Sequence, residues 1–299
     1  MTAASEPIGA KKAAVEKRQS RGRTGRIALH AIVIVLMAIW LIPTIGLLIN
    51  SFRPASDVAG SGWWTSLFPP WEFTFDNYEH VLSQNNLGDA FINSLFITIP
   101  STVIPVMVAA FAGYAFAWMD FPFKNAIFVA IVGLLVIPLQ STLIPVLRLL
   151  AGAGIAGEFV AVWLAHTGYG LPFAVYLLRN YMGGLPKEVF ESASIDGANP
   201  ATAFFRLALP MSVPVIASLA IFQFLFVWND LLVSLIYIGP TRSENLPMTV
   251  VVSNLVSSLG GETHFLTAAA FLTMALPLVV FLALQRYFVR GITGGAVKG

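Results

Sequence analysis

Six apolar stretches of roughly 20 residues or more run through this chain, and their length constrains its fold. An α-helix rises about 1.5 Å per residue, so such a stretch crosses a hydrocarbon core about 30 Å thick. The first stretch is too long for a signal-peptide core, and no small-residue cleavage site follows it, so we interpret it as a retained anchor. The sequence predicts an all-α polytopic membrane protein with six transmembrane helices, near residues 27–49, 91–118, 126–147, 159–178, 212–238 and 264–286.

The composition agrees with a membrane setting and excludes several kinds of chemistry. Hydrophobic residues make up 57% of the 299 residues and charged residues only 11%, too little polar surface to cover a soluble globule. The chain has no cysteine, so disulfides, thiolate metal sites and a cysteine nucleophile are excluded. Its four histidines are scattered without the spacing of metal ligands. We therefore predict no catalytic, cofactor-binding or metal site in this chain.

Lysine and arginine residues are distributed unevenly between the two sides that six spans define. Fourteen of the 17 lie on the side of the termini, and seven of these are in residues 1–26. Basic residues concentrate in cytoplasmic segments, so both termini are predicted to be cytoplasmic. Residues 1–26 lack an apolar period, and we expect this basic tail to be disordered or to lie on anionic lipid. Residues 27–290 then form the transmembrane domain, and residues 291–299 form a C-terminal cytoplasmic tail.

A polar segment, residues 186–211, lies between two of the most apolar stretches and includes the sequence ESASIDGANPATAFFRLALP. Pro186 suits the first turn of a helix, and Glu188 and Glu191 favour its N-terminal end. Gly197 is placed to end that helix in a left-handed conformation, and Asn199 to cap a second helix. A short charged helix on the cytoplasmic face is a suitable docking element for a soluble partner.

Three polar residues interrupt the fifth apolar stretch, namely Gln223, Asn229 and Asp230. A carboxylate at membrane depth is costly unless it faces water, a partner or a helix break. These residues are therefore candidates for a translocation path or gate. The alternative is that Asp230 caps a helix end or anchors the helix at the interface.

The polar segment resembles a signature of importer permeases of the ATP-binding cassette (ABC) class. That signature reads EAA, three residues, Gly, nine residues, Ile, any residue, Leu-Pro. The spacing of this chain fits the signature at every position. Two residues differ in type, Ser192 in place of the first alanine and Leu207 in place of the isoleucine. Wider segments, including INSLFIT, AGYAFAWMDFPFK, WNDLLVSL and QRYFVRGITGGAVKG, look like the second permease subunit of maltose-type carbohydrate importers. The sixth stretch looks most like the α-glucoside type.

This resemblance implies a type I ABC importer permease fold in a prokaryotic cytoplasmic membrane. The expected partners are a second permease subunit, two ATPase subunits and an external sugar-binding protein. ATP and Mg would bind to the ATPases, and this chain would be a transport subunit and not an enzyme. By position, residues 239–263 would reach the binding protein and residues 291–299 the ATPase. The resemblance also implies a coupling helix near residues 186–198 that docks on the ATPase. The residues implied to couple to the ATPase are Glu188, Glu191, Ser192, Ala193, Asp196, Gly197, Leu209 and Pro210.

The sequence alone leaves alternatives to a sugar importer open. An ion-coupled secondary transporter or a channel would need no ATPase, but only Asp230 is a plausible buried coupling group. A membrane enzyme would need clustered nucleophiles, bases or metal ligands, which the spans lack. Among substrates, a di- or oligosaccharide of the α-glucoside, maltose or trehalose kind is favoured, and a glycerol-phosphate compound is the alternative.

Overall fold

The computed structural model describes the backbone of residues 8–83, 86–239, 242–258 and 263–296. It describes the side chains of residues 25–83, 86–239, 242–256 and 263–285. Every regular element in these ranges is helical, which confirms the predicted all-α class. The chain divides into two compact units, residues 1–74 and 75–299.

The first unit contains one long helix and two short ones: α1 (Ile8–Ser51), α2 (Ala55–Gly60) and a 3₁₀ helix (Trp63–Leu67). Its apolar part, Gly25–Ser51, has a mean hydropathy of 2.8 and is long enough to span a membrane. Helix α1 begins at Ile8, so the backbone of residues 8–26 is helical. A helix is compatible with the expectation that this basic tail lies on anionic lipid, which stays a prediction. The good helix formers Ala, Lys, Glu, Gln and Arg dominate the first part of this stretch, and the helix continues directly into the apolar span.

The second unit holds the remaining helices. They are α3 (Asp76–Ser83), α4 (Leu87–Trp118), α5 (Lys124–Gly133), α6 (Leu139–Gly152), α7 (Phe159–Met182), α8 (Lys187–Ile195), α9 (Pro200–Ala203), α10 (Leu209–Met211), α11 (Val213–Trp228), α12 (Leu232–Tyr237), α13 (Met248–Ser258) and α14 (Thr263–Ala296). Phe204–Ala208 forms a π-helical turn, and Leu134–Val136 and Ser243–Asn245 form 3₁₀ turns. Helix α14 extends through most of the predicted C-terminal tail, and residues 297–299 lie outside the described residues.

Helices α4, α7 and α11 pack together as the centre of this unit. Ala109, Gly113 and Ala117 repeat every four residues along α4, so their small side chains share one face. A Cβ built on Gly113 would lie 2.9 Å from the Cβ of Leu178 in α7, a distance that real side chains do not tolerate. The absence of a side chain at Gly113 therefore lets α4 approach α7 closely.

Two of the predicted spans are broken. The third, residues 126–147, consists of α5 and α6, which are bent by 106° at residues 137–138, after the turn Leu134–Val136. Pro138 explains this break, because a proline disfavours helical backbone in the preceding residue, and Ile137 is extended. The fifth, residues 212–238, consists of α11 and α12, separated at residues 229–231.

Within the described residues, four helices are long and apolar enough to cross a membrane: Gly25–Ser51, Leu87–Trp118, Phe159–Met182 and Thr263–Gln285. Two further pairs qualify if each bent pair counts as one span, and the second of these pairs, Pro200–Met211 with Val213–Trp228, is bent by 73°. The number of spans then reaches six, as the sequence predicts.

Candidate coupling surface and membrane path

Helix α8 and the turn that follows it form the exposed part of the polar segment. Gly197 has a φ of +80°, which places it in the left-handed region where we predicted it. The Gly197 N–H donates to the carbonyl of Ser194 at 3.1 Å, and the Ala198 N–H donates to the carbonyl of Ala193 at 2.9 Å. This pair of hydrogen bonds is a Schellman motif, which satisfies carbonyls at the end of a helix. The C-terminus of α8 therefore has a fixed geometry.

One aromatic side chain attaches α8 to the membrane helices. Phe190 is buried, and its ring stacks on that of Trp118, at the end of α4, with centroids 4.0 Å apart. The Trp118 Nε1–H donates to the carbonyl of Met182, the last residue of α7, at 2.9 Å. A displacement of α8 would therefore act on the ends of both α4 and α7.

The predicted coupling residues of α8 and the following turn are exposed: Glu188, Glu191, Ser192, Asp196 and Gly197. Ala193 is half-buried. Ile195 is an apolar side chain that is 87% exposed among these polar residues. A single exposed apolar side chain is common on protein surfaces, but here Ile195 offers a docking partner an apolar contact among the charges.

Lys187 and Glu191 form an ion pair on this surface, with their charged atoms 2.9 Å apart. The hydrogen bond from Lys187 and the negative charge of Glu191 raise the pKa of the Lys187 ammonium group. Both side chains are well exposed, so this pair contributes little to folding. Its effect is to orient the Glu191 carboxylate along the surface of α8.

The second half of the polar segment joins α8 to α11. The Asn199 side chain accepts a hydrogen bond from the Thr202 N–H at 2.8 Å, which confirms the predicted N-cap. Phe204 and Ala208 are buried in the core that α4, α7 and α11 share, and Leu209 packs against the same core. Pro210 is exposed and precedes the bend at Ser212. The segment is thus anchored to the core after the Asn199 cap.

Unlike the exposed coupling residues, two polar side chains of the fifth stretch donate hydrogen bonds to backbone carbonyls. Gln223 is buried, and its Nε2 donates to the carbonyl of Ser101 in α4 at 3.2 Å. Asn229 is exposed, and its Nδ2 donates to the carbonyl of Leu225 one turn earlier at 2.8 Å. Gln223 therefore links two helices, whereas Asn229 satisfies the end of its own helix.

Asp230 lies at the break between α11 and α12. Its carboxylate accepts hydrogen bonds from the backbone N–H of Val233 at 3.3 Å and of Ser234 at 3.1 Å. These are the contacts of a helix N-cap, so the geometry matches the helix-end alternative. Because this carboxylate is mostly buried, the hydrogen bonds also offset part of the cost of desolvating it.

The sequence did not indicate the partner of this carboxylate. His166 of α7 is completely buried, and its Nε2 lies 3.6 Å from Oδ2 of Asp230. Nearby, the Tyr169 hydroxyl accepts a hydrogen bond from the Thr142 hydroxyl at 3.1 Å and lies 2.8 Å from that of Tyr237. The signal that singled out Asp230, an ionisable side chain in an apolar span, also applies to His166.

Residues 90–294 match the family described as the inner membrane component of binding-protein-dependent transport systems, and the match covers more than half of the chain. The chain belongs to this family. As an inner membrane component with several apolar helices, it is a multi-pass membrane protein. The membership favours the importer over the channel, the ion-coupled transporter and the membrane enzyme.

Relatives within the family cover nearly the whole chain. The osmoprotective compounds uptake permease protein GgtD of Synechocystis is 52% identical, over 91% of this chain and 92% of the relative. The alpha-glucoside transport system permease protein AglG of Rhizobium meliloti is 39% identical, over 91% of this chain and 97% of the relative. These relatives are named as transport permeases.

The fold of this inner membrane component also resembles a solved structure. A chain of a bacterial ABC transporter involved in the import of the acidic polysaccharide alginate superposes with a TM-score of 0.74. The superposition covers 89% of this chain and 97% of the other, at 18% sequence identity. The ABC importer permease fold predicted from the sequence is therefore confirmed.

Within the described residues, this family member has no group of three or more histidine, cysteine or acidic side chains that could hold a metal ion. The charged atoms of α8 are directed outward, and the Asp230 carboxylate is engaged by backbone N–H groups. The arrangement is suited to docking and to helix movement.

Proposed function

We propose that this chain is one of two permease subunits of an ATP-driven, binding-protein-dependent sugar importer. The observation that carries the proposal is helix α8, which presents Glu188, Glu191 and Ile195 outward while Phe190 ties it to α4 and α7. A second, different permease subunit completes the translocation path. One ATPase subunit docks on α8 of this chain, and a second docks on the equivalent helix of the other permease. The two ATPase subunits hold the ATP and Mg.

The proposed mechanism transmits the movement of the ATPase through this chain as a lever. Glu191 would pair with a basic residue of the ATPase, and Ile195 would enter an apolar hollow. The Schellman turn at Gly197 keeps α8 from bending at its end, so a push on α8 would reach Trp118 and Met182. Rocking of these helices would alternate access to a site near the middle of the membrane.

The two faces of the membrane receive different partners in this proposal. Both termini and the polar segment face the cytoplasm, and residues 291–299 extend toward the ATPase. Residues 239–263, which include α13, face the external binding protein, and residues 240, 241 and 259–262 of this loop lie outside the described residues. The excess of Lys and Arg on the side of the termini supports this orientation.

The substrate we propose is a small neutral glucoside. The names of two relatives give osmoprotective compounds and alpha-glucosides as substrates. Disaccharides such as trehalose belong to both classes. A glycerol-phosphate compound is the second candidate, and its negative charge separates it from the first in any competition assay.

The test is an ATPase assay of the purified complex in lipid vesicles with its binding protein. Trehalose, maltose, sucrose and glycerol 3-phosphate are added one at a time. We expect one neutral sugar to stimulate hydrolysis, and only when the binding protein is present. If no ATPase co-purifies and uptake instead follows an ion gradient, the proposal is wrong.

Two variants of Ile195 test the docking surface within the same assay. Ile195→Asp places a charge where the proposal needs an apolar contact, and the high exposure of this side chain spares the fold. We expect Ile195→Asp to lose the co-purifying ATPase and Ile195→Leu to retain it. Equal retention by both variants would place the ATPase contact elsewhere.

A further inference from the structure

A recess opens beside α7 and α11, on the side of these helices where α5 and α6 meet. It consists of two adjoining cavities of about 260 and 400 Å³, and both are lined by Tyr169 and Phe226. The larger lies within the range of about 300–1,000 Å³ that is usual for small-molecule sites. No charged side chain is among the residues that line either cavity.

Aromatic rings form much of the wall of the recess. Leu219, Phe222, Gln223 and Phe226 line it from α11, and their spacing of three and four residues places them on one face of that helix. Tyr169 and Phe173, four residues apart on α7, line it from the other side. Flat apolar rings on both sides suit a ligand that has apolar faces of its own.

Polar atoms are also present in this wall. The Tyr169 hydroxyl is oriented by its contacts with the Thr142 and Tyr237 hydroxyls. The Gln223 amide is held by the Ser101 carbonyl, and it packs so closely on α7 that a Cβ at Gly170 would lie 2.7 Å from its Oε1. Neutral hydroxyl and amide groups among aromatic rings are the combination that recognises an uncharged polyol.

The backbone at the recess argues against a lipid as its occupant. Leu134, Leu135 and Ile137, which line the larger cavity, lie in the 3₁₀ turn and the break between α5 and α6. Irregular backbone at membrane depth is tolerated where it is buried in protein or lines a water-filled cavity, and not where it meets lipid. Since the recess is open on one side, this break must face water or the second permease subunit, and not lipid.

We propose that the recess is a sugar-binding subsite on this chain, in which one pyranose ring stacks between the aromatic walls and hydrogen-bonds to Tyr169 and Gln223. The inference rests on the proposed function, because it assumes that a sugar passes this subunit. It adds that this permease contacts the sugar directly. A neutral sugar as the ligand also accounts for the lack of charged side chains in the lining.

Gly168 provides the sharpest test. It lines the larger cavity, and a Cβ built on it has no heavy atom within 4 Å, so a leucine side chain there starts in open space and would occupy part of the recess. The matched control is Gly152→Leu, at the end of α6, where a Cβ also has open space. Phe173→Leu removes one aromatic wall at a ring that is 46% exposed, and Phe96→Leu, at a ring 58% exposed on α4, is its control.

The experiment measures sugar uptake and ATP hydrolysis together in vesicles that contain the whole complex and its binding protein. The probe is the radiolabelled member of the trehalose, maltose and sucrose set that stimulates the wild-type ATPase most. We expect Gly168→Leu to lower uptake per ATP roughly tenfold, and Phe173→Leu roughly threefold. Both controls should match the wild type, and stimulation by the binding protein should persist in all four variants.

Each other result has a separate meaning. Wild-type uptake by both Gly168→Leu and Phe173→Leu would overturn the subsite. Loss of the second permease from the Gly168→Leu complex would show that the recess is a subunit interface, and would overturn it too. If the wild type itself shows no sugar-stimulated hydrolysis, the proposed function fails first. If leucine at 168 prevents folding, Phe173→Leu decides the question.

Discussion

The polar segment, residues 186–211, and the broken fifth span, residues 212–238, are neighbours in the chain but are held in place in different ways. In the polar segment most hydrogen bonds join residues three to five apart, as at Gly197 and Asn199. In the fifth span two of the three polar side chains also reach other helices, as Gln223 does to Ser101 and Asp230 to His166. The first region is therefore positioned mainly by its own sequence, and the second by its neighbours.

This difference suits the roles proposed for the two regions. A docking element must keep its shape while its surface is exposed, so local caps are the appropriate support. A span that lines a path must change its neighbours during transport, so contacts between helices are the ones that can be exchanged. The contact between Phe190 and Trp118 links α8 to α4, the helix that the fifth span also meets through Gln223 and Ser101.

Phe190→Ala should have the largest effect, because it removes the aromatic contact that ties α8 to the end of α4. The buried ring leaves a cavity beside Trp118, and the expected loss is about 3 kcal/mol in the stability of the docked α8. Hydrogen exchange of residues 187–195 should become faster, and the ATPase should no longer co-purify. Val189→Ala, at a neighbour that is 37% exposed, is the control. Unchanged exchange in Phe190→Ala would show that α8 is held by some other contact.

Asp230→Leu should have the next largest effect, because it removes the side-chain hydrogen bonds that cap the start of α12 and leaves buried His166 without a carboxylate beside it. The cap alone is worth up to about 2 kcal/mol. We expect a lower unfolding temperature of the complex in detergent and reduced sugar uptake. Asp230→Asn keeps an acceptor oxygen and should preserve most of the stability. If Asp230→Asn transports as poorly as Asp230→Leu, the negative charge itself is needed, as the path or gate hypothesis states.

Gly197→Val tests the polar segment, which is held by hydrogen bonds between residues close in sequence. The left-handed conformation costs a branched residue about 1–2 kcal/mol, and since a Cβ would meet no heavy atom within 4 Å, the cost is in the backbone alone. We expect the turn to shift and ATP hydrolysis to become uncoupled from uptake. Gly197→Asn is the matched control, because asparagine tolerates this conformation. Normal coupling in Gly197→Val would remove the turn from the proposed mechanism.

The same contrast explains what could be predicted from the sequence. The left-handed Gly197, the Asn199 cap and the close approach at Gly113 follow from rules that act within a few residues. The break near Pro138 follows from a similar rule, but the apolar length of residues 126–147 concealed it. The contacts of His166 with Asp230 and of Phe190 with Trp118 join distant parts of the chain, and no local spacing encodes them.

Glu191→Gln should have the smallest effect on folding, and it sharpens the comparison by testing an exposed pair. The partner of Glu191, Lys187, has a raised pKa because its ammonium group is stabilised by the hydrogen bond and the charge of Glu191. A raised pKa contributes stability below the unfolded value, about 10.4 for lysine, and this contribution is lost as the pH rises through the folded value. Between about pH 6 and pH 9 the pair is fully formed, so the unfolding temperature should not vary with pH on its account.

In Glu191→Gln we expect NMR titration to show a lower Lys187 pKa and scanning calorimetry to show no change in stability. ATPase stimulation should nevertheless fall, because the carboxylate is proposed to meet the partner. If stimulation is unchanged while the pKa falls, Glu191 serves only to orient Lys187, and docking depends on Ile195.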